Sequence, residues 1–217
     1  QFQVIEQDFS YTIHGMKPYN AKSLVYNRIT GVVNSADVMT KEELGKLLQV
    51  EQGKADFTIK WTSNTSNTQH QFLIDSAIRK SSSQNIDFTF NGKSIGVDRK
   101  EEETYTIPPL NSFELISAKV IKTDEPYVSL VFSDPISSQD LNGLIEFENK
   151  GPDVKTFEVD LNEVKVYPKS NRSGDFKLIV HKGIRNHKNI KLQKTSSALI
   201  TLEDNKPRIE LVGDGNI

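Results

Sequence analysis

The chain contains no cysteine. That excludes disulfides, thiolate metal sites and cysteine nucleophiles, so packing alone must hold the fold together if the protein is exported. No apolar run approaches the ~20 residues of a membrane-spanning helix. Neither sign of charge dominates: 27 Lys and Arg stand against 29 Asp and Glu, a formal net charge of -2. Overall charge therefore gives no reason to expect nucleic acid or an anionic membrane as partner. His14, His70, His181 and His187 are scattered, and none sits at metal-ligand spacing such as His-x-x-x-His. There is no Gly-x-Ser-x-Gly elbow and no Gly-rich phosphate loop. The expectation is a protein that is not an enzyme, needs no cofactor or metal, and has no catalytic or ligand-binding residue to assign.

What is present is apolar alternation. Val128, Leu130 and Phe132 alternate with Tyr127, Ser129 and Val131. The runs at Phe157–Val159–Leu161, Phe176–Leu178–Val180, Ala198–Ile200–Leu202 and Ile209–Leu211 repeat the pattern. Period two predicts strands with one buried and one wet face, as an antiparallel sheet allows. In the first half, strands are expected at Val4–Ile13, Leu24–Val33, Phe57–Trp61, Phe72–Ile74, Ile86–Phe90 and Tyr105–Ile107. Asn91-Gly92 predicts a tight hairpin returning through Ser94–Val97. One short helix is expected near residues 40–50. Thr40 and Glu43 form a capping box, and Leu44, Leu47 and Leu48 form its apolar face. It reads as a plug for an open sandwich end rather than a partner-binding helix.

Pro108-Pro109 breaks the pattern, since two prolines remove two donors and fix φ. The fold class read from this is all-β: two tandem immunoglobulin-like antiparallel β-sandwiches, 1–109 with the short helix and 110–217, joined by a stiff linker. The chain starts without Met and stops just after a strand-like run, so it reads as a piece of something longer.

Candidate chemistry is sparse. Glu125, Asp134 and Asp140 could offer calcium oxygen ligands, but they lack the spacing of a calcium loop and read as turn residues. Glu101-Glu102-Glu103 reads as a solvated loop or a guard against edge pairing rather than a hydrolytic pair. Trp61 reads as core, with Tyr105, Tyr127 and Tyr167 as looser candidates for a carbohydrate platform. Asn64 and Asn171 head Asn-x-Ser/Thr glycosylation patterns. Gly183–Ser197, carrying Arg185, Lys188, Lys191 and Lys194 without strong alternation, is expected to be the most protease-sensitive part of the second half.

The order of the pieces carries a resemblance. Val128-Ser129-Leu130-Val131-Phe132-Ser133-Asp134-Pro135, Leu141-Asn142-Gly143-Leu144-Ile145-Glu146-Phe147 and Val180-His181-Lys182-Gly183-Ile184-Arg185-Asn186 are similar to stretches of bacterial immunoglobulin-like domains. Arg28-Ile29-Thr30-Gly31 with Ser35-Ala36-Asp37, the Phe90–Asp98 segment and Pro207–Gly213 resemble the N-terminal region of bacterial alpha-2-macroglobulin-like proteins, ahead of their first macroglobulin domain. The resemblance implies a non-catalytic spacer and docking pair in a large, usually lipid-anchored protease inhibitor of the bacterial envelope. That parent would be periplasmic or outer-membrane-associated and extracellular. The family's thioester needs a cysteine and so lies outside this piece. The implied partners are the rest of its own chain and, through the full-length protein, proteases. Nucleic acid and membrane insertion of this segment are not expected. The alternative is a set of sandwich modules from a surface adhesin or glycan-binding protein.

Overall fold

The structure, a computed structural model, describes residues 6–123, 125–148, 151–169 and 173–203. The expected strand at Ile209–Leu211 and the acceptor Asn171 lie outside the described residues. Among the described residues the chain is all-β apart from one short α-helix and one 3-10 turn. The first half runs β1 (Phe9–Asn20), β2 (Ser23–Ser35), α1 (Lys41–Leu47), β3 (Leu48–Gln52), β4 (Ala55–Asp56), β5 (Ile59–Ser63), β6 (Gln69–Ile78), β7 (Gln84–Asn91) and β8 (Lys100–Ile107). Two four-stranded antiparallel sheets result, ordered β1-β2-β6-β5 and β4-β3-β7-β8. Both feed one core, in which Ile29, Phe72 and Ile74 from the first sheet meet Leu48, Phe88 and Phe90 from the second.

The helix is set by its cap. The Thr40 N–H donates to Glu43 Oε2 (2.7 Å), and the Glu43 N–H donates back to Thr40 Oγ1 (3.3 Å). Leu44 and Leu47 are buried, and the helix packs on β3, β7 and the 3-10 turn, as the plug reading expects. Leu48 differs: it is already extended and opens β3.

Asn91-Gly92 does not make the expected two-residue hairpin. Asn91 is extended (φ -118°) and caps a 3-10 turn over Gly92–Ile95, so β7 pairs with β8 rather than with Ser94–Val97. Gly92 is required by crowding. A Cβ there would lie 2.7 Å from the Val97 carbonyl oxygen and 2.9 Å from the Phe9 ring. The positive φ falls instead on Gly96 (78°).

The second half runs β9 (Leu115–Ile121), β10 (Tyr127–Phe132), β11 (Ile145–Phe147), β12 (Val154–Asp160), β13 (Glu163–Pro168), β14 (Gly174–Val180) and β15 (Ser196–Leu202). Its sheets are ordered β12-β13-β10-β9 and β11-β14-β15. They share a second core built on Val128, Leu130, Phe132, Val164, Leu178 and Ile200. The two cores part at residues 108–112, the first ending with Ile107 and the second starting with Phe113.

β10 departs from its sequence pattern. It should have one wet face, yet Ser129 and Val131 are also buried. The reason is tertiary: β1 of the first half lies over that face, with Gly15 against Val131.

Candidate functional site at the junction of the two halves

The most concentrated chemistry lies where the halves meet. Arg79 follows the last residue of β6 and is 1% exposed. Its Nε donates to the Pro108 carbonyl (2.8 Å) and its Nη1 to the Ser133 carbonyl (2.6 Å) and Asp134 Oδ1 (2.5 Å). Its Nη2 donates to the carbonyls of Pro109 (2.6 Å) and Ser112 (2.9 Å). A guanidinium has five N–H groups in a fixed fork, and all five find acceptors here. The other oxygen of Asp134 accepts from Asn186 Nδ2 (2.9 Å). One buried cation thus ties β6, the diproline linker, the end of β10 and the Gly183–Lys194 segment together.

A second set of contacts grows from a bulge in β1. The register of β1 on β2 shifts between Ile13 and Gly15, and Gly15 adopts φ 129°, which side-chain-bearing residues avoid. Other elements satisfy the backbone groups near the bulge. Lys119 Nζ on β9 donates to the Ile13 carbonyl (2.6 Å), and the Met16 N–H donates to the Tyr105 hydroxyl (3.1 Å). Asn162 Nδ2, in the β12–β13 turn, donates to the carbonyls of Met16 (2.8 Å) and Phe132 (2.7 Å). Lys17 pairs with Asp160 at the rim.

Beside the bulge lies a cleft of about 350 Å³ lined by His14, Lys17, Lys119, Tyr127, Ser129 and Glu163 among others. Burial, reinforced by the Lys119 charge, pushes the His14 pKa below its usual value. Ser129 Oγ donates to Glu163 Oε1 (2.5 Å), but among the described residues neither hydrogen-bonds His14, so no nucleophile–base relay is assembled. Every donor of Arg79 and both oxygens of Asp134 already have protein partners.

The other residues singled out by sequence are dispersed. Of the three calcium candidates, Asp134 is held by Arg79 and Asn186, Asp140 accepts from the Asn142 N–H (3.0 Å), and Glu125 pairs with Lys155 (2.6 Å). Among the described residues no cluster of three potential metal ligands occurs. Glu101, Glu102 and Glu103 lie on β8, an edge strand, where charge discourages pairing with another chain. Trp61 is half-buried and packs edge-on against Phe72 (5.8 Å), while also lining a groove with Phe57, Ile59, Gln49 and Asp56. Tyr105 is no carbohydrate platform, since it supports the bulge and burial pushes its pKa up to about 12. Tyr127 and Tyr167 pack on each other at 5.3 Å. Asn64 is exposed, with its Oδ1 accepting from the N–H groups of Thr68 and Gln69 (3.1 Å each). His181 contacts Glu146 (2.9 Å). His70 is fully buried, with Nδ1 on Ser63 Oγ (2.7 Å), and burial lowers its pKa.

His14 and His70 contribute to the pH response just below neutrality. Both pKa values lie below the unfolded value of about 6.5, so the unfolded chain binds more protons once the pH drops under that value. Their contribution is intact above about pH 6.5 and is lost as the pH falls toward the lowered folded values. Melting temperature should therefore fall between pH 7.5 and 5.5, and the slope should shrink in His70→Asn. An equal slope in the variant would remove His70 from the account.

The first part of the Gly183–Ser197 segment is held by backbone hydrogen bonds, while Gln193, Lys194 and Thr195 are exposed and outside any strand. Residues 183–192 form a small hairpin. The Leu192 N–H donates to the Ile184 carbonyl (2.7 Å), Arg185 pairs with Lys191, and the Asn186 N–H donates to the Ile190 carbonyl (2.9 Å). Ile184 and Leu192 are buried, and Asn186 Oδ1 accepts from the N–H groups of Lys188 (3.0 Å) and Ile190 (2.9 Å). Alternation was hidden because a buried asparagine occupies an inward position. Asn186→Ala should therefore accelerate tryptic cleavage at Lys188 and Lys191, read by mass spectrometry. Unchanged rates would show that Asn186 does not hold the hairpin.

Sequence reasoning did not find Arg79 at all. A lone arginine before Lys80-Ser81-Ser82-Ser83 carries no local signal. Asn162 was legible only as a turn residue, and Asn186 only as part of the Gly-Ile-x-Asn stretch.

No known protein family matches the chain, and no curated protein does. Among solved structures, the full ectodomain (Ig1–Ig3) of mouse nectin-like molecule 4 aligns over 93% of this chain and 66% of its own, with 8% identity and a TM-score of 0.32. A likeness that remote assigns no function. What stands is an all-β chain with two cores, joined through a saturated, buried Arg79–Asp134 node.

Proposed function

We propose that this chain is a non-catalytic pair of immunoglobulin-like modules, 1–109 and 110–217, from the N-terminal region of a longer alpha-2-macroglobulin-like protease inhibitor of the bacterial envelope. Its role in that reading is to space and orient the trapping body. The observation that supports it is convergence of the resembling stretches. Asp134 of the Phe-Ser-Asp-Pro stretch and Asn186 of the Gly-Ile-x-Asn stretch lie far apart in sequence and are hydrogen-bonded in the core of the junction (2.9 Å). A spacer must transmit orientation, and a saturated buried arginine at the linker suits that task.

The test uses the full-length parent. Incubation with a general endoprotease should give cleavage, compaction, and a protease that still cuts small substrates but not proteins. The present chain alone should leave the protease uninhibited. A parent made of tandem sandwiches with a wall anchor, and no trapping, would favour the second reading, a glycan-binding surface module. One feature speaks for that alternative: half-buried Trp61 at a groove of about 530 Å³ with Gln49, Glu51 and Asp56.

A further inference from the structure

The near-neutral overall charge hides a local excess. From Phe176 to Leu202 the sequence has six Lys or Arg and no Asp or Glu. Five of these, Lys182, Arg185, Lys188, Lys191 and Lys194, fall on or beside the 183–192 hairpin. All four lysines are exposed. Among the described residues none of the five pairs with a carboxylate, although eight other lysines do.

The hairpin geometry brings two of them together. Arg185 lies directly opposite Lys191, so the two share a face, while Ile184, Asn186 and Leu192 point inward. Like charges directly opposite are unfavourable for a strand pair. The fold does not require this arrangement, and an anion would relieve it. Arg185 Nη1 is held by Asn189 Oδ1 (2.9 Å), which fixes its fork across the tip. Asn186 and Asp134 hold the hairpin base, so the backbone that carries the charges needs no ordering on binding. Beside them, Ile190 is 42% exposed.

We propose that this hairpin is a docking surface for an anionic lipid bilayer, its basic residues meeting headgroup phosphates and Ile190 entering the interfacial layer. The shape favours a bilayer over a polyanionic chain. Lys182, Arg185, Lys188 and Lys191 lie outside the adjoining cleft that Ile190, Leu192 and Lys194 line with Phe113 and Glu114, and residues 181–195 include no Phe, Trp or Tyr on which a sugar or base could stack. The patch is the same whatever longer chain the protein belongs to.

The experiment is cosedimentation of the 217-residue chain with liposomes. Vesicles containing phosphatidylglycerol should bind it, neutral phosphatidylcholine vesicles should not, and raising salt should release it. Each basic residue near such a surface contributes about fivefold in affinity, so Arg185→Gln/Lys188→Gln/Lys191→Gln should weaken binding about a hundredfold. The equally discharged Lys41→Gln/Lys54→Gln/Lys93→Gln, altered at exposed positions elsewhere, should bind like the parent. Equal loss in both triple variants, no binding to anionic vesicles, or binding to soluble heparin with none to vesicles would each overturn the proposal.

Discussion

Arg79→Met should destabilise the protein by about 3–5 kcal/mol, because it leaves Asp134 buried with its charge uncompensated. Four backbone carbonyls lose a partner at the same time: those of Pro108, Pro109, Ser112 and Ser133. Arg79→Lys tests the fork separately from the charge. An ammonium offers three donors and no fixed fork, so at least two of the five hydrogen bonds are lost and part of the destabilisation should persist. Arg79→Met/Asp134→Leu should recover part of the stability, since removing both ions costs less than removing one. Equilibrium urea unfolding reads all three. A loss under about 1 kcal/mol in Arg79→Met would place the buried node among contacts of little consequence.

The second large effect is expected at Phe88. It is fully buried in β7, stacked with Phe90 at 6.5 Å and tilted on Phe72 at 6.3 Å. Truncation to alanine should cost about 3–5 kcal/mol, combining lost transfer energy with an unfilled cavity. Trp61 is the only tryptophan and contacts Phe72, so its fluorescence reports on this core alone. Its urea midpoint should drop sharply in Phe88→Ala. If Trp61 in the parent unfolds at the same denaturant concentration as probes in the second half, the junction couples the two cores. A midpoint in Phe88→Ala within error of the parent would mean that the ring is not packed as described.

The pattern of legibility follows range. The Thr40–Glu43 capping box, the alternation in β7 and β14 and the diproline break depend on neighbours a few residues away, and each came out where expected. The errors arose where distant chain segments intervene. β10 lost its wet face because β1 covers it, and Gly92 is there to avoid Val97 and Phe9 rather than to supply a positive φ. In the 183–192 hairpin, a buried asparagine reads as polar and conceals an inward position.

The sequence by itself determined the all-β class, the short capped helix and the break at Pro108-Pro109, because periodicity, capping and proline chemistry act locally. Only the tertiary structure decided how the halves meet. A buried arginine is tolerable only when all its donors are satisfied, and the partners of Arg79 are drawn from residues 108–134. The same holds for the basic hairpin. The basic residues can be counted in the chain, but Arg185 and Lys191 stand opposite one another only because Ile184, Asn186 and Leu192 are held against the second core and Asp134.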